Sequence, residues 1–132
     1  MIINLKTGIQ NTLTREVKSE DTASAFGDEH LPVLATSRIV AFMEYTALNS
    51  VKEYLPDGYS SVGTEIHLSH SKPVSPGAKV TCFSKLTEVE GRKLVFDITL
   101  RDSGGLIASA VHTRMIINNI AFRRILNKEN DY

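Results

Sequence analysis

The chain has no tryptophan and one cysteine, Cys82, among 132 residues. A lone thiol cannot close an internal disulfide, and no second cysteine is there to share a zinc ion. A disulfide-framed secreted fold and a Cys-based zinc site are therefore excluded. Set in an alternating apolar stretch, Cys82 reads as a small buried hydrophobe. Neither sign of charge is in excess: 15 Lys and Arg balance 15 Asp and Glu. Proteins that grip a phosphate backbone usually carry a basic surplus, so nucleic acid is not an expected partner. Long apolar runs are also missing. None approaches the roughly 20 residues of a membrane span, and residues 1–6 lack the basic start and apolar core of a signal peptide. A soluble cytoplasmic protein with no membrane partner is the expectation. There is no repeat, low-complexity tract or linker. What remains is an ordinary globular composition, 42% hydrophobic and 23% charged. It is enough for one domain over residues 1–132 that buries roughly two thirds of its unfolded surface without a covalent staple.

Residues 8–18 alternate loosely and favour a strand. Residues 19–30 are small and polar, a loop with a helical turn near Thr22–Phe26 and the makings of a mobile lid. Residues 36–55 carry the one long helical pattern, with Thr36 as its expected N-cap and Pro56-Asp57-Gly58 as its stop. At 100° per residue, Thr36, Val40, Met43, Ala47, Val51 and Tyr54 share one stripe. The period then changes to two. Residues 62–71 put Val62, Thr64, Ile66, Leu68 and His70 on one face and Gly63, Glu65, His67 and Ser69 on the other. Runs at 78–89, 92–101 and 106–118 follow, separated by turn residues, and the tail 119–132 turns polar and basic and is expected to fray. Short turns make antiparallel neighbours. One helix on a five-stranded antiparallel sheet gives a two-layer α+β domain, whose exposed sheet edges invite a homodimer.

Glu44 lies within the helix's apolar stripe, among Val40, Ala47, Leu48 and Val51. Carboxylates are seldom buried unless paired or used. Either a groove or an arginine relieves this one, or it serves as a base or acid. Thr36 lies two helical turns earlier on the same side, and His70 ends a strand on the face of Ile66 and Leu68. His67 and His70 fall on opposite strand faces, so one metal cannot take both, and no metal or other cofactor is expected. His112 shares a face of the last strand with Arg114, and a structural role accounts for His112. No phosphate-binding glycine loop or nucleophile elbow occurs.

In order along the chain stand LPVLATSRIVAFMEYTALNSVKEYL at 31–55, Ser61-Val62-Gly63-Thr64, His67-Leu68-Ser69-His70, Val89-Glu90-Gly91-Arg92 and His112-Thr113-Arg114. This ordered set resembles the hotdog-fold thioesterases of the fluoroacetyl-CoA thioesterase-like family, over about residues 31–118. The resemblance implies an antiparallel sheet wrapped around one long helix, a homodimer, and hydrolysis of an acyl-CoA thioester to free CoA and a carboxylate. It implies Thr36, Glu44 and His70 as catalytic residues and Gly63 beside the reacting acyl group. A basic rim for the CoA phosphates is expected from Arg92, Lys93, Lys72 and Arg114. The phenylalanine-rich lid of fluoroacetyl-specific members is reduced here to Phe26, displaced by about one residue, so a different small or medium acyl group is expected. The alternative is a non-catalytic hotdog protein that binds acyl-CoA or another hydrophobic ligand.

Overall fold

The computed structural model describes residues 3–28 and 30–130, without the side chains of the last two of these. The readings made at Met1 and Ile2, at Glu29 in the loop and at the last two residues of the tail lie outside the described residues. Strand β1 (Gln10–Glu16) leads through two short 3-10 turns, Ser19–Asp21 and Ala23–Phe26, to helix α1 (Thr36–Lys52). Strands β2 (Tyr59–His70), β3 (Lys79–Glu90), β4 (Lys93–Asp102) and β5 (Gly105–Asn118) follow, then helix α2 (Asn119–Asn130). The strands form one sheet in the order β1-β3-β4-β5-β2, every neighbouring pair antiparallel. No described helix is long and apolar enough to cross a membrane.

The helix packs on one face of the sheet because both patterns supply an apolar surface. Val80, Cys82 and Leu86 from β3 and Leu94, Phe96, Ile98 and Leu100 from β4 are buried there. From α1 come Ile39, Phe42, Met43, Thr46, Ala47, Ser50 and Val51. The buried face is thus turned from the expected stripe toward Ile39, Phe42, Thr46 and Ser50, and Tyr54 falls beyond the helix, 49% exposed. Thr46 and Ser50 enter the core because each donates to a carbonyl of its own helix, Phe42 O at 2.8 Å and Ala47 O at 2.6 Å. Counting them as polar misplaces the stripe.

Two further expectations are corrected. The residues after 118 form α2, whose first N–H groups are capped: Asn118 Oδ1 accepts from the backbone of Ile120 and Ala121, both at 3.1 Å. In β2 the pairing to β5 shifts between Gly63 and Glu65, leaving Thr64 as an extra residue. Before the bulge Ser61 and Gly63 oppose Ile116 and Arg114; after it Ile66, Leu68 and His70 oppose His112, Ala110 and Ala108. Unbroken alternation puts Gly63 on the face away from His70, but the bulge brings both to the helix side.

Candidate active site

Helix α1 begins without a side-chain cap, at Ala35 rather than Thr36. As the first helical residue, Thr36 has its hydroxyl free for another partner. That partner is His70 at the end of β2: Thr36 Oγ1 and His70 Nδ1 are 3.0 Å apart. The other ring nitrogen, Nε2, lies 3.0 Å from the carbonyl oxygen of Lys72. A carbonyl only accepts, so Nε2–H donates to it. In the neutral ring Nδ1 then carries a lone pair, and the Thr36 hydroxyl donates to that. The arrangement is a chain of Thr36 O–H to His70 to Lys72 C=O.

Glu44 sits elsewhere. Eight residues along α1 place it about 12 Å from Thr36 along the axis, and Gly63 stands about 20 Å from His70 along β2. Glu44 is half-exposed, its Oε2 3.9 Å from Arg114 Nη1. A Cβ at position 63 would lie 2.6 Å from Glu44 Oε2, 3.1 Å from His112 Cε1 and 3.3 Å from Arg114 Nη1. A side chain here would push the Glu44 carboxylate away from the strand backbone and press on the buried His112 and Arg114. Together Glu44, Gly63, Thr64, Glu65, Ile66 and His112 line an open hollow.

Arg114 forms the floor beneath this hollow. It is only 4% exposed, and so is no part of a phosphate-binding rim. Its Nε donates to Ser61 Oγ at 2.9 Å, its Nη2 to Ser61 O at 2.8 Å and its Nη1 to His112 Nε2 at 3.2 Å. His112 Nδ1–H donates in turn to Glu65 O at 2.8 Å. Burial first of all, and then the Arg114 charge, push the His112 pKa below its usual value, while the bond to Glu65 O and the Glu44 charge oppose this. A neutral His112 is the form that can accept from the guanidinium. Burial also lowers the pKa of Arg114, opposed by Glu44.

The remaining expected residues are scattered. Arg92 lies in the β3–β4 turn and Lys93 opens β4, both exposed. Lys72 is held in an ion pair with Asp102. Phe26 is 57% exposed at the end of its 3-10 turn, with the Arg38 guanidinium 5.3 Å from its ring centre. Arg38 also reaches Asp21 at 3.4 Å, so the segment before the helix is tied to the first turn of α1. His67 faces away from His70, opposite Val111. Sequence reasoning names Ser61 only within the resembling set and misses its bonds to Arg114, although two polar residues two apart on β5 that need a shared partner are a visible signal for one.

A family model described as fluoroacetyl-CoA-specific thioesterase matches residues 17–120. The chain belongs to this family. A fluoroacetyl-CoA thioesterase from Streptantibioticus cattleyicolor is 35% identical over 86 residues, which span 65% of this chain and 62% of that relative's length. A crystal structure of a variant of the fluoroacetyl-CoA-specific thioesterase FlK superposes with a TM-score of 0.88 at 27% identity, covering 96% of this chain and 98% of that one. The same FlK variant, in complex with fluoroacetate and CoA, has a TM-score of 0.83 at 30% identity over 89% and 99% of the two chains. A thioesterase superfamily member from Thermus thermophilus has a TM-score of 0.90 at 20% identity, covering 98% and 96% of the chains; it bears on the fold alone. The architecture is the hotdog fold, a five-stranded antiparallel sheet packed around α1, shared with a hot-dog-like protein of 20% identity and TM-score 0.88.

Proposed function

We propose that this chain is an acyl-CoA thioesterase that hydrolyses a small or medium acyl-CoA thioester to free CoA and a carboxylate. Its site is composite, joining Glu44 and Gly63 of one protomer to Thr36 and His70 of its partner in a homodimer. The observation that carries the reading is the polarised Thr36–His70 pair at the open start of α1, in a chain of this family. Two features support the dimer. The Glu44 hollow and the Thr36–His70 pair stand too far apart to share one small acyl group within a protomer. Also, β2, which carries Gly63 and His70, is an edge strand whose outer side pairs with no other strand among the described residues. Antiparallel pairing of β2 with its twofold copy, in the register centred between Ile66 and His67, would set Gly63 opposite the partner's His70.

In such a site the helix start offers backbone N–H groups without intrahelical partners and the positive end of the dipole, to meet the charge that grows on the thioester oxygen. The Glu44 carboxylate takes a proton from water as the water oxygen bonds to the carbonyl carbon. The C–S bond then breaks, and that proton is the one the CoA sulfur needs to leave as a thiol. Thr36, aligned by His70, orients the attacking water. The uncharged backbone at Gly63 accepts the acyl group closely. Arg92 and Lys93 supply cations for the CoA phosphates, and Phe26 covers the acyl end.

A panel of acyl-CoA thioesters, followed with a thiol reagent, tests the reading. Thiol release above background is expected for short or medium chains, and Glu44→Ala should slow turnover by about a hundredfold or more. No release across the panel, with acyl-CoA still raising the melting temperature, would leave a ligand-binding protein instead.

A further inference from the structure

His70 can accept from Thr36 only while its proton stays on Nε2, and that proton is held by the carbonyl of Lys72. The position of this carbonyl is therefore decisive. The chain leaving β2 is anchored at Ser71, whose N–H donates to Ile107 O at 2.8 Å, and at Val74, whose carbonyl accepts from Leu34 N at 2.7 Å. Between those anchors Pro73 has no N–H to offer. What ties residue 72 itself is its side chain. Lys72 Nζ donates to both oxygens of Asp102, at 2.6 and 2.8 Å, across the end of β4. Asp102 is fixed in turn by the backbone N–H of Gly104 at 2.8 Å. A Cβ at Gly104 would lie 2.7 Å from Lys72 Nζ, so the turn leaves open the space the ammonium fills.

We propose that the Lys72–Asp102 ion pair is a positioning device for the reaction: by clamping the Lys72 carbonyl it locks His70 in the Nε2–H tautomer and so aims the Thr36 hydroxyl. Neither Lys72 nor Asp102 touches the reacting atoms. The inference rests on the catalytic reading of Thr36 and His70, but its main readout is independent of turnover. In ¹⁵N-labelled protein the two ring nitrogens of His70 report the tautomer directly. Wild type is expected to show one Nε2–H form, and Lys72→Met and Asp102→Asn a mixture of tautomers. Lys72→Arg, which keeps the clamp, should restore the single form. With the best acyl-CoA substrate, Lys72→Met should lower kcat about tenfold with KM and melting temperature nearly unchanged, since misaiming affects chemistry more than binding. Lys72 is partly exposed and Asp102→Asn keeps its shape, so both variants should fold. An unchanged tautomer in both variants overturns the inference. A shifted tautomer in a protein that cleaves no thioester would uphold the clamp and overturn the proposed activity instead.

Discussion

His112 has two partners that need opposite things from it. Glu65 O requires a proton on Nδ1, and Arg114 requires a lone pair on Nε2. Both are satisfied only by the neutral ring, and a second proton would point an N–H at a guanidinium. The ring is 1% exposed, and burial lowers its pKa from the ordinary 6.5. The unfolded chain therefore binds a proton at a higher pH than the folded one does. Stability from this residue is complete above pH 6.5 and is lost as pH falls from there toward the lower folded pKa. Thermal melts between about pH 7.5 and 5.5 should show this loss. His112→Gln, whose amide can both donate to Glu65 O and accept from Arg114, should flatten the slope. An equal slope in both proteins would remove His112 as its source. At this scale much of the candidate site is legible: Glu44 stands out as a carboxylate read inside an apolar stripe, although the structure leaves it half-exposed, and His112 and Arg114 share a face by simple alternation. What alternation alone cannot reveal is that Arg114 is buried beneath Glu44 rather than free at a rim, since burial depends on which face meets the helix.

Among the elements, α1 and the four later strands are legible because period and punctuation agree. The tail is not, because its two signals conflict. Its polar, basic composition points to fraying, while Ala121, Phe122, Ile125 and Leu126 recur at helical spacing behind an asparagine cap. The spacing wins locally, although Ile120, Ile125 and Leu126 stay exposed. A helix with so little cover leans on its cap. Asn118→Ala should cost α2 about 1 kcal/mol and speed amide exchange across residues 120–128, leaving exchange in β4 unchanged. Slowed exchange at β4, or no change in α2, would show that the cap is not what holds this helix. The segment before α1 behaves differently: its two 3-10 turns are tied to α1 through Asp21 and Arg38, so residues that read as a loop are held in place by an ion pair between residues seventeen apart in sequence.

For the whole molecule, a site shared between chains has a distinctive genetic signature. Glu44→Ala and His70→Ala should each be inactive alone. Mixed and allowed to exchange subunits, they should regain activity, because one of the two sites in a mixed dimer draws Glu44 from one chain and His70 from the other. A mixture as silent as its components would place the whole site within one chain. Light scattering should give about twice the 14.6 kDa chain mass. The fold class follows from the order of elements, but this sharing is not written in any local pattern. The proposed sharing rests on the separation of Thr36 from Glu44 along α1 and of Gly63 from His70 along β2, and on the place of β2 at the sheet edge, which only the assembled sheet sets.

The bulge in β2 makes the arrangement depend on parity. Seven positions separate Gly63 from His70, an odd number, and in an unbroken strand an odd separation puts two residues back to back. Thr64 is the residue that β5 does not count, and omitting it from the tally makes the separation even. A strand that drew Thr64 into the ladder instead would be regular and unchanged in composition. It would also turn the first half of the strand over, sending Gly63 to solvent and a side chain toward Glu44. A chain paired one residue out of register there could thus keep the fold and its whole sequence, and still have a side chain where Glu44 now meets the strand backbone.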